Sequence, residues 1–198
     1  MDTGFIHTPQ NPDGSGIVLT HGAGANCRAE LLVKVADALC AAGMLVLRCD
    51  LAFRQRRPFG PPSPATGAAD RAGLKEAVER VRGMVSGPVY LGGHSYGGRQ
   101  ASMLAAEEPG LAAGLLLLSY PLHPPDKPQQ LRTAHFAALR TPAVFVQGTK
   151  DPFGTIDEME AARALIPVST QLLRVEGAGH DLKKGRFDLA ELAAALVK

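Results

Sequence analysis

A serine stands between glycines two positions away on either side in Gly93-His94-Ser95-Tyr96-Gly97. That pattern suits a sharp strand-to-helix turn that lifts a hydroxyl above a sheet edge, where side chains at the glycine positions would collide. Three fixed positions also arise by chance in glycine-rich loops, so the flanks decide: Pro88 to Gly92 reads as a strand and Gly98 to Leu104 as a helix. A serine hydroxyl is a poor nucleophile at neutral pH and needs a base within hydrogen-bond reach and a group that fixes the base's tautomer. In Gln147-Gly148-Thr149-Lys150-Asp151-Pro152-Phe153 an apolar strand runs out into a carboxylate, and in Val175-Glu176-Gly177-Ala178-Gly179-His180-Asp181 a histidine follows the last apolar run. A loop histidine alone is usually a solvated polar residue, and an Asp before Pro usually a turn former. The chain order Ser95, Asp151, His180 is what raises all three to a candidate nucleophile, orienting acid and base, with Asp157 and Asp181 as weaker competitors for the acid.

Acyl transfer also needs donors for the oxyanion of its tetrahedral intermediate. Thr20-His21-Gly22-Ala23-Gly24-Ala25-Asn26 follows the first clear strand, and its small residues let backbone approach a substrate closely. The Ala23 and Tyr96 N–H groups are the expected pair. A phosphate-cradling loop is the weaker reading, since no Lys-Ser/Thr pair follows and Gly-x-Gly-x-x-Gly is absent. Gly22, Gly24, His94, His123 and Arg54 are the expected substrate-lining residues, while His7 and His135 read as structural or exposed.

Parallel strands with helical crossovers are what must position these groups. Ile17–Thr20, Met44–Arg48, Val89–Gly92, Gly114–Ser119, Ala143–Gln147 and Gln171–Val175 read as buried strands, six at least. Leu31/Leu32, Val35, Leu39 and Ala42 recur at helical spacing and stop at Gly43, and Leu74, Val78 and Val81 make a second stripe. Further helices are expected over Gly97–Glu108, Gln130–Leu139, Asp157–Leu165 and Phe187–Val197. The alternation predicts an α/β fold, a mostly parallel doubly wound sheet with helices on both faces and ligands at the carboxyl ends of its strands. Two proline-rich loops, Ala52–Thr66 and Tyr120–Pro128, follow strands directly and are expected at that edge. Only a short stretch separates Ser119 from Ala143, so no lid domain is expected.

Bulk composition narrows the classes. Residues 1–198 read as one domain, because the length falls short of what two cores need. With 45% apolar and 20% charged residues, disorder is not the default. The formal charge of +2 is spread along the chain, so no nucleic acid partner is expected. Three cysteines, Cys27, Cys40 and Cys49, are odd in number and lack metal-ligand spacing, which fits a reducing cytoplasm. No apolar run approaches a membrane span. Neither metal nor organic cofactor is implied, and oligomeric state is not legible.

The elbow, the His-Gly-Ala-Gly loop, Tyr120-Pro121-Leu122-His123-Pro124-Pro125, Phe53-Arg54-Gln55-Arg56-Arg57-Pro58 and the Gln147 to Gly154 run together resemble one α/β-hydrolase subfamily, over nearly the whole chain. It is the group that includes a testis-expressed protein and a subunit of a chromatin acetyltransferase complex; many members carry lysine where this chain has His94. More distantly the chain is similar to the dienelactone hydrolases, whose nucleophile is a cysteine where this chain has Ser95. The resemblance implies an α/β-hydrolase fold and supplies no substrate. A small-molecule acyl ester or thioester is the expected substrate, cleaved by a serine hydrolase. A non-catalytic protein-binding module and a peptidase using the same triad are the alternatives, and Arg54, Arg56 and Arg57 are either anion attractors or a solvated basic loop.

Overall fold

Short apolar segments pair into one seven-stranded sheet. The strands are β1 (Gly4–His7), β2 (Gly16–Thr20), β3 (Leu45–Cys49), β4 (Val89–His94), β5 (Leu115–Leu118), β6 (Ala143–Gly148) and β7 (Thr170–Val175), in the spatial order β1-β3-β2-β4-β5-β6-β7. The computed structural model describes residues 4–185 and 187–196. Every pairing is parallel except that of β1 with β3. Six strands match the expected ones to within a residue or two. β1 was not expected; its half-exposed edge position, with Phe5 and Ile6 each more than a third exposed, gives the sequence no continuous apolar run to show.

Both faces of the sheet are covered, as parallel strands require. Alternate residues of one strand serve opposite cores: Ile17 and Leu19 of β2 pack on one side and Val18 on the other, and Leu116 and Leu118 of β5 oppose Leu115 and Leu117. The first face is closed by α1 (Glu30–Ala41), through Leu32, Val35 and Leu39, and by α6 (Leu189–Leu196), through Leu192 and Leu196. The second face takes α3 (Gly67–Arg82), through Leu74, Val78 and Val81, and α4 (Tyr96–Glu107), through Ala101 and Leu104. Gly43, at φ 108°, ends α1 as expected, with Met44 N–H donating to Leu39 O at 3.1 Å. Val197, the last residue of the expected C-terminal helix, lies outside the described residues.

Two expectations need correction. Gln130–Leu139 is not a helix; it holds only a 3-10 turn over Phe136–Ala138. Its backbone is spent elsewhere, since Arg132 N–H donates to Leu122 O at 2.8 Å and Arg132 O accepts the Tyr120 hydroxyl at 2.7 Å. The Ala52–Thr66 loop contains α2 (Ala52–Arg56) and a 3-10 turn over Pro64–Thr66. The remaining helix, α5 (Ile156–Arg163), starts on a capping box in which Thr155 Oγ1 accepts Glu158 N–H and Glu158 Oε2 accepts Thr155 N–H. No lid domain intervenes between β5 and β6. Among the described residues no helix is long and apolar enough to cross a membrane.

The strand order reverses between β2 and β4. β3 continues from β2 to one side and β4 to the other, so the loops leaving β2 and β4 diverge and open a crevice at their carboxyl ends. The His21–Asn26 loop and the Ser95 turn are those two loops.

Candidate active site

Ser95 stands between the last residue of β4 and the first of α4 at φ 52°, ψ −119°. A non-glycine residue there carries strain of order 1–3 kcal/mol, which the surroundings must hold in place. They do so through the backbone: Ser95 N–H donates to Leu118 O of β5 at 2.8 Å, and Ser95 O accepts Arg99 N–H at 3.0 Å. The expected need for glycine is met by close approach. A Cβ on Gly97 would lie 2.5 Å from His21 O, and one on Gly93 would lie 2.8 Å from Thr20 O.

Asp151 lies just past β6 and His180 past β7. The Asp151 side chain is fully buried, whereas that of His180 is 22% exposed. His180 Nδ1 stands 2.8 Å from Asp151 Oδ2 and 3.0 Å from Oδ1. A carboxylate only accepts, so Nδ1 carries the proton and Nε2 is left to accept. Nε2 is 2.8 Å from Ser95 Oγ, which therefore donates to it. The three residues named from chain order are thus joined in one relay.

Both loops are braced against each other. Thr149 N–H donates to Val175 O at 3.1 Å, Lys150 N–H to Ala178 O at 2.9 Å, and Gly177 N–H to Thr149 Oγ1 at 3.0 Å. Gly148 leaves no room for a side chain, since a Cβ would lie 2.4 Å from Ala178 O. Asp151 Oδ1 also accepts Phe153 N–H at 2.9 Å, and the Phe153 ring lies over the imidazole with centroids 4.2 Å apart.

At the other wall, Gly22 packs on the elbow: a Cβ there would lie 3.3 Å from Ser95 Cβ and 3.0 Å from His94 Nδ1. Gly22 O accepts His21 Nδ1–H at 2.9 Å and Ala25 N–H at 3.1 Å. The peptide is trans, so fixing this carbonyl points the Ala23 N–H the opposite way. His21 is fully buried, and its Nε2 accepts Leu51 N–H at 3.1 Å, which sets the tautomer. Burial holds its pKa below the usual imidazole range, so it stays neutral at pH 7. Tyr96 begins α4, where N–H groups lack intrahelical acceptors. A Cβ on Gly24 would meet open space.

The structure sorts the expected lining residues. His94 Nε2–H donates to His180 O at 2.8 Å, and burial lowers its pKa; it tethers the base's own backbone. His123 is buried, with Nδ1 2.8 Å from Pro124 O and Nε2 3.3 Å from Glu158 Oε2, joining the proline-rich loop to α5. Arg54 is a correction. It is 7% exposed, and its guanidinium serves backbone carbonyls: Ala23 O and Ala25 O of the β2 loop, and Pro58 O and Gly60 O of its own. It clamps two loops and has no face left for an anion. Arg56 and Arg57 are exposed, and Arg57 donates to Pro61 O at 2.5 Å.

One residue escaped the sequence reading. Asp70 of α3 is fully buried, accepting Phe53 N–H and the Tyr96 hydroxyl at 2.8 Å each. Its signal was its place four residues before Leu74, on the stripe otherwise made by Leu74, Val78 and Val81.

A serine at a strained turn, relayed through histidine to a buried carboxylate at the strand-order switch, agrees with the comparison to known families, in which residues 13–196 match the model described as alpha/beta hydrolase domain. The chain belongs to that family. Hydrolase-family folds of known structure superpose along nearly its whole length. A dienelactone hydrolase from Anabaena variabilis is 21% identical with a TM-score of 0.73, over 97% of this chain and 87% of that one. An alpha-beta serine hydrolase homologue from Coxiella burnetii is 20% identical with a TM-score of 0.76, over 98% and 89%. A serine hydrolase without lid from Xanthomonas campestris is 18% identical with a TM-score of 0.73, over 97% and 84%. These likenesses are of fold.

Proposed function

We propose that this member of the α/β-hydrolase family is a serine hydrolase that cleaves small acyl esters or thioesters. The observation that carries the reading is the relay Ser95 Oγ–H to His180 Nε2, with His180 Nδ1–H held by buried Asp151. In the first half-reaction His180 takes the hydroxyl proton as Ser95 Oγ attacks the carbonyl carbon. The oxyanion is received by Ala23 N–H and Tyr96 N–H. Collapse expels the alkoxide or thiolate, which takes the proton from His180 and leaves an acyl group on Ser95. Water then repeats the sequence and releases the acid. Asp151 stabilises the imidazolium in both halves without itself taking the proton.

A lidless, open crevice goes with small soluble acyl groups rather than long lipids. The motifs quoted above support placing the chain with the subfamily of the testis-expressed and chromatin-complex proteins, and a cytoplasmic location, expected from cysteine usage, goes with the same reading. The test is labelling of the purified protein with a fluorophosphonate probe beside the Ser95→Ala variant, with the modified peptide identified by mass spectrometry. Labelling at Ser95 that vanishes in the variant is expected. A folded protein that takes no label would overturn the proposal and favour a non-catalytic binding module.

A further inference from the structure

Arg99 lies one turn into α4 from Ser95, about 6 Å along the helix axis. Its charge acts on Tyr96, the residue that follows Ser95, and on Tyr120 past the end of β5. Among the described residues its buried Nε has no hydrogen-bond partner. Asp70, the buried acid that accepts from Tyr96, is already committed to Phe53 N–H and Tyr96 OH.

A second guanidinium approaches from the loop after β5. Arg132 is anchored by its backbone to Leu122 and Tyr120, and one of its donors meets Pro121 O at 3.2 Å. Its charge and that of Arg99 repel: burial first, then Arg99, lowers the Arg132 pKa. His135, with Nε2 2.8 Å from Ser102 Oγ, is pushed down to about 4 by burial, then by Arg99 and Arg71, so it adds no negative charge and no proton at pH 7. Two half-buried cations that act on each other, neither of them in an ion pair with a carboxylate among the described residues, gain from an anion that completes the group.

We infer that Arg99 and Arg132 form an anion-binding subsite beside Ser95, which selects acyl esters or thioesters whose acyl chain ends in a carboxylate. The inference rests on the serine-hydrolase reading for its reaction and on the two guanidinia for its ligand. It moves anion recognition from the Arg54 loop, whose clamp is saturated, to the opposite side of the elbow. A short dicarboxylic half-ester would place its carbonyl at Ser95 and its free carboxylate at the guanidinia, where fork-shaped donors match a carboxylate.

The experiment compares kcat/KM for the p-nitrophenyl half-ester of glutarate with that for p-nitrophenyl butyrate, in wild type, Arg99→Gln, Arg99→Lys and Arg132→Gln. Wild type should prefer the half-ester. The ratio should fall about tenfold or more in Arg99→Gln, the size of a lost charge-assisted hydrogen bond, and less in Arg99→Lys. A ratio unmoved by either Arg99 substitution overturns the inference. Glutarate at matched ionic strength should also raise the melting temperature of wild type, and this shift should vanish in Arg99→Gln. This arm needs no turnover, so a protein that fails fluorophosphonate labelling yet shows the Arg99-dependent shift loses the hydrolase reading and keeps the subsite. No shift in wild type, or a shift with inorganic phosphate and none with glutarate, overturns the carboxylate assignment. Arg99→Lys keeps the test decisive if Arg99→Gln does not fold.

Discussion

At the scale of the residue, the candidate site is a set of imidazoles, each given one task by its second nitrogen. His180 is committed by Asp151, His94 by the carbonyl of His180, and His21 by Leu51 N–H on one side and Gly22 O on the other. Both nitrogens of His21 are spent on backbone, so it would act on the proposed oxyanion donor through a peptide plane. The variant His21→Phe keeps an aromatic edge against Phe53 and loses the donor to Gly22 O. Its kcat on a short ester should fall about tenfold or more, because a loosened Ala23 N–H no longer meets the oxyanion preorganised. KM should change much less, and the orphaned Leu51 N–H should cost about 1–3 kcal/mol of stability. Steady-state kinetics on protein shown to be folded by circular dichroism separates the two effects, and an unaltered kcat would remove His21 from the machinery.

At the scale of the element, strands bring the site together and loop braces hold it. The β2 loop and the α2 loop make no sheet pairing, and Arg54 fastens them through Ala23 O, Ala25 O, Pro58 O and Gly60 O. Lysine keeps the charge but offers three donors from one nitrogen, which cannot reach carbonyls spread around a planar fork. Arg54→Lys should therefore lower stability by about 2–3 kcal/mol through buried carbonyls left unpaired. Limited proteolysis should then cut within residues 57–63 faster than in wild type. Equal cutting rates and equal urea midpoints would show that the clamp is dispensable.

At the scale of the whole molecule, stability should depend on pH through its buried and half-buried histidines. Burial is the leading cause of lowered pKa at His7, His21, His94 and His135, the last to about 4. In the unfolded chain each returns to about 6.5. Between these limits the unfolded state binds protons that the folded state refuses, so stability rises with pH in that window and is lost as pH falls through it. The melting temperature should be highest near about pH 7.5 to 8 and decline from about pH 6.5 to pH 4; above about pH 8.5 the thiols of Cys27 and Cys49, pushed up to about 12 by burial, lower it again, because the unfolded chain gives up protons that the folded state keeps. Below about pH 4.5 the lowered carboxyls of Glu30 and Glu158 add to the loss. His135→Gln should flatten the acid limb in a thermal-shift series at constant ionic strength. A level melting temperature from pH 7 to pH 5 would contradict this account.

Local pattern alone determined the strand and helix alternation, the glycine-flanked serine and the chain order of serine, aspartate and histidine. These are legible because burial on both faces forces continuous apolar strands, and because the elbow excludes Cβ atoms at fixed offsets. The edge strand β1 and the absence of a helix over Gln130–Leu139 were not legible: the half-exposed first shows no continuous apolar run, and in the second long-range hydrogen bonds overrule local preference. Tertiary structure also decided which charges are spent. Arg54 and Arg99 look alike in sequence, yet one meets carbonyls of two loops and the other has, among the described residues, no partner for its buried Nε. Spacing puts Asp70 on a buried stripe, but could not reveal that Phe53 N–H and the Tyr96 hydroxyl meet it there. Periodicity along the chain reports which face of an element is buried; what a buried polar group meets depends on segments brought in from elsewhere, and only folding brings them together.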